Sequence, residues 1–275
     1  MFRTMQGFVV LAFTVAAFLT AANSRADDEK AAGELNVRKM IDETLRWITI
    51  HPASNATVTM EPKVVLRWTN NARGSETGAT VLWIHQGRPE AACGIYPWQD
   101  HLTHEFDSLA RRPIRGFLDG SIVWMPQNDS IEFSDLPDVD APAATKLRRR
   151  RQINQLKDEF SATMLGWRAD DTDREELRLM PRPLYEYETP EGAAVVDGAV
   201  FAFAQGTDPE TILLLEAVTD GTSMKWQYAF VRQTSGALEG RFRQKVVWNA
   251  EKHPRNNNPA DDHISFRQSL AGLSQ

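Results

Sequence analysis

Nine short runs rich in Val, Ile, Trp and Phe, separated by turn residues, constrain the fold of the chain more than any other feature. Branched and aromatic side chains suit a pleated surface, whereas Gly, Pro, Asn and Asp favour the turns between strands. Asp220-Gly221, between two such runs, is a strong local signal for a hairpin. The pattern predicts strands over 64–69, 80–85, 102–109, 121–125, 184–188, 199–205, 211–218, 225–232 and 240–248.

A helical pattern precedes each group of predicted strands. Residues 28–48 and 143–167 carry apolar side chains mostly at spacings of three to five, which is typical of a half-buried helix. A stiff polar connector, 136–142, lies between the two groups. We therefore predict an α+β fold whose order is compatible with two tandem units, each a helix plus a four-stranded antiparallel sheet. The units would span 27–135 and 143–250, and 251–275 would form a flexible tail.

A weak internal similarity favours the two-unit interpretation. Gly78-Ala79 recurs as Gly198-Ala199 at an offset of 120, and other matches also fall at turns, where geometry limits residue choice. The number of matches is about what chance gives, so two unrelated segments of one α+β domain remain the alternative. A helix followed by four strands is the cystatin-like element order, although no cystatin binding motif occurs here. Two such sheets would offer a concave surface, but a fold does not fix a function.

Residues 1–26 have the pattern of a secretory signal peptide. Arg3 gives a positive start, residues 8–22 form an apolar run, and Ser24 and Ala26 are small residues at the positions that a signal peptidase reads. The apolar run is shorter than the about 20 residues that a membrane-spanning helix needs. The pattern predicts an exported protein, periplasmic or extracellular, with no transmembrane segment after signal removal. An uncleaved membrane anchor or a buried N-terminal helix is the alternative.

Charge and cysteine content restrict the partners and the forces that hold the fold. The formal net charge is −6, and loss of the two arginines of the signal makes it −8. An acidic chain has no overall attraction to nucleic acid, so a nucleic-acid partner is not expected. Cys93 is the single cysteine, so no intramolecular disulfide can form and packing must supply the stability. Its apolar neighbours predict a buried side chain rather than a reactive thiol.

The segment from His101 to Asp107 is the densest group of potential metal ligands. His101 and His104 would share one face of a helix but would point to opposite faces of a strand. Zinc usually takes three or four protein ligands, and His-x-x-His-Glu is not the familiar protease motif. His101, His104 and Glu105 are therefore weak metal candidates, and a polar sheet edge is the alternative.

No other stretch of the sequence points to catalysis. A nucleophile elbow, a dinucleotide-binding glycine motif and a phosphate-binding loop are all absent, so we assign no catalytic residue and no cofactor. The sequence leans away from an enzyme without deciding the question. Residues 148–151 are four consecutive arginines, which predict either a solvated helix face or docking to an acidic partner or a membrane surface.

Aromatic side chains are spread over the predicted strands, and most of them are expected in the core. Tyr96 and Trp98 are the pair most expected at the surface, because Pro97 interrupts the strand between them. Exposed aromatic rings commonly bind sugar rings or peptides. Tyr96 and Trp98 are therefore the candidate binding surface.

Four stretches carry a family resemblance: TVLWIHQGRPE at 80–90, HEFDSLA at 104–110, ELRLMPRPLYEY at 176–187 and GAVFAFAQGTDPETILLLEA at 198–217. On these stretches the chain resembles a family of exported proteins of unassigned function from planctomycete bacteria. The resemblance implies an exported bacterial protein with a recurrent segment at His104-Glu105-Phe106. It implies no activity, cofactor or partner.

These observations together predict an exported, non-catalytic binding protein whose ligand is a protein, a peptide or a glycan. The alternative function is a hydrolase, with or without a metal ion, that uses the His101–Asp107 region.

Overall fold

The computed structural model describes residues 35–70, 75–127, 131–166, 173–254 and 258–270. Strands make up 55% of these residues and helices 11%. The predicted α+β class is therefore wrong, because the protein is mostly β with large curled sheets, and a helix plus four strands is not its building unit. The predicted signal peptide lies outside the described residues.

The error in fold class is clearest in the second predicted helix. Helix α2 covers only Lys146–Leu156 and is followed by a 3₁₀ turn at Lys157–Glu159. The last apolar residues of the predicted helix belong instead to a strand, Phe160–Leu165, in which Phe160 and Met164 are buried. Residues four apart share a face in both a helix and a strand, so the spacing did not distinguish the two.

The elements follow one another along the chain, and their bounds are these: α1 (35–44), β1 (Ile48–Pro52), β2 (Glu61–Asn70), β3 (Ser75–His85), β4 (Arg88–Trp98), β5 (His101–Ser108), β6 (Ile114–Leu118), β7 (Ser121–Trp124), β8 (Ser134–Asp135), α2, β9 (Phe160–Leu165), β10 (Arg174–Leu179), β11 (Tyr185–Glu186), β12 (Val195–Gln205), β13 (Asp208–Thr219), β14 (Met224–Arg232), β15 (Ala237–Phe242), β16 (Lys245–Ala250) and β17 (His263–Ser269).

Within the described ranges the strands form three antiparallel sheets. A five-stranded sheet has the order β17-β5-β4-β3-β2, and a three-stranded sheet has the order β1-β6-β7. A nine-stranded sheet has the order β16-β15-β9-β10-β12-β13-β14-β8, with β11 also paired to β12. Strand β17 lies in the segment predicted as a flexible tail, and it pairs with β5 along its whole length.

The strand pairings of the two halves correspond. Strands β1-β6-β7 have the same connections as β9-β15-β16, and β2-β3-β4-β5 have the same connections as β10-β12-β13-β14. The last strand of each half pairs with the other half, because β8 pairs with β14 and β17 pairs with β5. Two hairpin turns also contact the other half, since Glu188 N donates to Gly87 O at 2.9 Å and Thr207 Oγ1 donates to Thr69 O at 2.9 Å.

Three apolar clusters hold these layers together. One cluster lies between the five-stranded sheet, the three-stranded sheet and α1, and it contains Cys93, which is fully buried as predicted. A second cluster lies inside the curled nine-stranded sheet under α2. The third joins the two large sheets face to face, through residues such as Leu82 and Ala92 on one side and Ile212 and Leu214 on the other.

Two of the four arginines at the start of α2 bind an acid of the protein itself, whereas Arg148 and Arg151 are exposed. Arg149 Nε donates to Asp197 Oδ2 at 3.1 Å, and Arg150 Nη2 lies 3.1 Å from Asp197 Oδ1. Arg149 is buried, and Asp197 is almost fully buried. These two arginines therefore anchor α2 to β12 rather than forming a solvated face.

Candidate functional site

A pocket of about 140 Å³ opens at one end of the contact between the two large sheets. It lies on the face of the five-stranded sheet that also packs against the nine-stranded sheet. Strand residues alternate between faces, so this face carries the apolar cross-strand pair of Leu82 with Ala92, then the pair of Thr80 with Gly94, and then the tyrosine of β4. We call this site the aromatic pocket, and its main residues are Trp68, Gly94, Tyr96, Glu105, Asp208 and Gln233.

Trp68 forms a fixed wall of the aromatic pocket. A Cβ atom on Gly78 would lie 2.4 Å from Trp68 Cη2, so only glycine permits this close contact. The indole Nε1 donates to Thr80 Oγ1 at 3.2 Å, and the rings of Trp68 and Tyr96 have centroids 5.7 Å apart. Trp68 is buried, so the wall exists before any ligand arrives.

The opposite wall comes from the nine-stranded sheet. Asp208 and Pro209 begin β13, and Gln233 follows β14. Asn70 Nδ2 donates to Asp208 Oδ2 at 3.0 Å, which links the two walls. Gln233 Nε2 donates to Asp107 Oδ2, so the orientation of the Gln233 amide is set by a carboxylate beneath the pocket.

Two buried polar atoms of the aromatic pocket lack a hydrogen-bond partner within the described part of the chain. They are Thr103 Oγ1 and Gln233 Oε1, on side chains that are 3% and 5% exposed. A buried polar atom without a partner costs about 1–3 kcal/mol. A ligand that supplies donors to these atoms would recover that free energy, so their position is an argument for binding.

Asp107 and His263 form a buried acid–base pair below the pocket. His263 Nδ1 lies 2.8 Å from Asp107 Oδ1, and the two side chains are at most 1% exposed. Burial raises the pKa of Asp107 to about 6, although His263 opposes the shift. Burial also disfavours charge on His263, but the charge and hydrogen bond of Asp107, together with the charge of Glu105, outweigh burial and raise the pKa of His263.

The structure separates the three metal candidates. Segment 101–108 is a strand, so Glu105 faces the aromatic pocket while His104 faces the apolar core, where its ring stacks on Phe266 at 4.7 Å. Burial lowers the pKa of His104 to about 4. His101 lies at the sheet end, 2.6 Å from Asp100 Oδ1. The described residues contain no group of three or more His, Cys, Asp or Glu side chains placed to hold a metal ion.

The two aromatic candidates lie together at the aromatic pocket. Tyr96 is half-buried in its lining, and Trp98 lines its mouth with 36% of its surface exposed. Sequence reasoning missed Trp68 as a site residue. A glycine inside a predicted strand, Gly78, was the available signal, because it marks a place where another group approaches the backbone closely.

At the corresponding place in the other half, the protein's own arginines bind a buried carboxylate, beside a cavity of about 670 Å³ that Arg88 and Arg111 also line. Arg88 is the first residue of β4, and Asp208 is the first residue of β13. The two residues correspond, because each pairs with the last residue of the strand before it. Arg88 Nε donates to Glu216 Oε1 at 2.9 Å, and Tyr187 Oη donates to the same oxygen at 2.8 Å. Arg111 Nη2 donates to Glu216 Oε2 at 2.7 Å. We call Glu216 and the three residues that donate to it, Arg88, Tyr187 and Arg111, the arginine cluster.

Comparison with known proteins adds no relative, since no family model, curated protein or solved structure matches the chain. Across the described ranges, the model contains no helix with the length and apolar character needed to cross a membrane.

Proposed function

We propose that the protein is a binding protein and that its ligand inserts a ring-sized or planar group into the aromatic pocket. The observation that carries the proposal is the pair of buried, unpartnered polar atoms, Thr103 Oγ1 and Gln233 Oε1, beside the fixed ring of Trp68. The volume, about 140 Å³, is close to that of an engineered cavity of about 150 Å³ that holds benzene. Aromatic walls with a few convergent polar atoms are typical of ligand sites.

The ligand is a protein, a peptide or a glycan under this proposal, and binding takes place outside the cytoplasm. The aromatic rings of Trp68, Tyr96 and Trp98 support all three ligand classes, because sugar rings and peptide side chains both stack on such surfaces. The signal-like pattern of residues 1–26 supports export.

A hydrolase that uses the His101–Asp107 region has less support. The acid–base pair of this region, Asp107 with His263, is enclosed, and a substrate would need to reach it through Gln233. A general acid or base must come within hydrogen-bond reach of the group it serves. Of the residues in that segment, Thr103 and Glu105 line the pocket.

Filling the aromatic pocket tests the proposed function. A Cβ atom on Gly94 would meet no other atom within 4 Å, so the site has room for the first atom of a side chain, and Gly94→Val adds volume to the pocket. Valine also suits a strand better than glycine. The matched control is Gly236→Ala, which lies outside the pocket lining and whose Cβ would make only ordinary contacts of 3.6 Å or more.

Labelled wild-type chain and both variants should be applied to a glycan array and a peptide array. We expect wild type and Gly236→Ala to bind the same probes, and Gly94→Val to lose that binding while keeping its circular dichroism spectrum. Equal binding by Gly94→Val, or no binding to either array by wild type, would refute the proposal.

A further inference from the structure

We infer that the group bound by the aromatic pocket is a guanidinium, as carried by an arginine side chain. The inference rests on the proposed function and names the ligand chemistry of that same pocket. Three features lead to it: the charge and hydrogen-bond character of the lining, the aromatic faces, and the arginine contacts at the corresponding place in the other half.

The lining of the aromatic pocket presents mainly acceptors. Two carboxylates, Glu105 and Asp208, contribute to the lining, and the unpartnered amide atom of Gln233 is its carbonyl oxygen. Arg267 is the basic residue among the described lining residues, and it is exposed at the rim. A guanidinium has five N–H donors and no acceptor, so its hydrogen-bonding capacity complements this set.

The shape of the pocket also suits a flat cation. A guanidinium is planar and stacks on aromatic faces, and a cation within about 6 Å of a Trp or Tyr ring centroid is attracted by the ring. The rings of Trp68 and Tyr96 stand side by side in the pocket at 5.7 Å, inclined by 51°. A planar group between them and the carboxylates would gain stacking and charge attraction together. A neutral sugar ring would gain the stacking but not the attraction between opposite charges.

The arginine cluster shows how the protein itself binds a carboxylate at the corresponding place. There Arg88, next to the hairpin turn of one half, binds Glu216, a buried carboxylate of the other half. A second guanidinium, Arg111, stacks on Phe133 with its Cζ 3.5 Å from the ring centroid while it binds the same carboxylate. At the aromatic pocket the matching turn residue is Asp208, so the turn supplies an acid there instead of an arginine. A guanidinium from a ligand would place there the kind of cation that Arg88 supplies to Glu216.

Comparing charged and neutral probes of the same shape tests this inference. The probes are N-acetyl-arginine amide, N-acetyl-citrulline amide, and a capped Ala-Arg-Ala peptide with its citrulline counterpart, and binding to the purified chain is measured by isothermal titration calorimetry. We expect each arginine probe to bind about tenfold or more tightly than its citrulline partner, and added salt to weaken arginine binding. Tighter binding of the peptide than of the amide would identify a protein chain as the source of the guanidinium, and equal binding would identify a small molecule.

Charge-neutral variants locate the bound cation. Glu105→Gln keeps the size of the side chain and should weaken arginine binding about tenfold. The control, Glu61→Gln, makes the same change on an exposed side chain outside the pocket lining and should leave arginine binding unaltered. Gly94→Val should abolish arginine binding, and it keeps the test decisive if Glu105→Gln fails to fold.

The outcomes separate this inference from the proposed function. Equal affinity for arginine and citrulline probes, or arginine binding that Gly94→Val leaves intact, overturns the guanidinium assignment. If the arginine probes do not bind but array ligands bind in a manner that Gly94→Val abolishes, the guanidinium assignment is wrong and the proposed function stands. If wild type binds neither these probes nor the arrays, both are wrong.

Discussion

Replacing Gly78 by alanine should destabilise the protein through one identifiable contact, the ring of Trp68. Three ring carbons of Trp68 would lie 2.4–2.7 Å from the added Cβ, so the ring must move. Overpacking of this kind costs about 1–3 kcal/mol. Displacing the ring also breaks the hydrogen bond from its Nε1 to Thr80, which contributes about 1 kcal/mol. We therefore expect Gly78→Ala to lower the free energy of unfolding by about 2–4 kcal/mol.

A double-mutant cycle isolates this contact. In the Trp68→Leu background the offending ring carbons are gone, and alanine inside a strand is more stable than glycine by roughly 0.5–1 kcal/mol. Gly78→Ala should then be neutral or stabilising, which gives a coupling free energy of about 3 kcal/mol with Trp68. The measurement is urea unfolding of the four proteins, followed by far-ultraviolet circular dichroism because Trp68 itself contributes to fluorescence.

The corresponding glycine of the other half provides a matched contrast. A Cβ on Gly198 would lie 2.7 Å from the ring of Tyr187 but also 2.9 Å from the carbonyl oxygen of Leu215. Tyr187→Leu should therefore relieve only part of the cost of Gly198→Ala, because the backbone oxygen remains. Equal destabilisation by Gly78→Ala in the wild-type and Trp68→Leu proteins would refute the reasoning, since the clash would then lie elsewhere.

Two further predictions concern buried charge. Arg88→Met should lower the free energy of unfolding by about 3–5 kcal/mol, because it leaves Glu216 buried with one cation fewer. Lys225→Met removes an exposed ion pair and should cost at most about 1 kcal/mol. Urea unfolding at neutral pH measures both losses, and similar losses would contradict the argument. The pKa of His104 is lowered from 6.5 to about 4, so the folded state binds fewer protons than the unfolded state between these values and stability is lost as pH falls through this range. His104→Phe should abolish this loss, about 3 kcal/mol between pH 7 and pH 4, and parallel pH profiles of the free energy of unfolding for both proteins would contradict the assignment.

Local sequence patterns predicted the strands much better than the helices. The runs at 80–85 and 199–205 lie inside the longer strands β3 and β12, because branched and aromatic residues mark a pleated surface wherever they cluster. Helix α2 ends earlier than its apolar spacing predicts, because the same spacing continues into the strand β9. The class of the fold followed from how many strands pair, and pairing depends on contacts between distant segments that no local pattern records.

The candidate site was predictable only where it is local. Tyr96 and Trp98 could be chosen because a proline lies between them, and both line the pocket. Asp208 and Gln233 could not be chosen, because they join Trp68 only when the two large sheets pack face to face across more than a hundred residues of chain. His104 and Glu105 were grouped as neighbours in sequence, and the strand then directed them to opposite faces.

The contrast between the two ends of the sheet contact is clearest at one position of the hairpin. Arg88-Pro89-Glu90 and Asp208-Pro209-Glu210 have the same place in register, and each turn reaches the sheet of the other half. Where the first residue is arginine, its guanidinium binds a buried acid directly, so that acid is satisfied within the protein. Where the first residue is aspartate, the turn adds negative charge to a space already lined by Glu105, and the space stays open. The two turns also differ in backbone, since Gln86 and Gly87 both have positive φ whereas Gly206 has positive φ and Thr207 does not. Side-chain charge and turn geometry together therefore distinguish the structural contact at one end from the candidate binding site at the other.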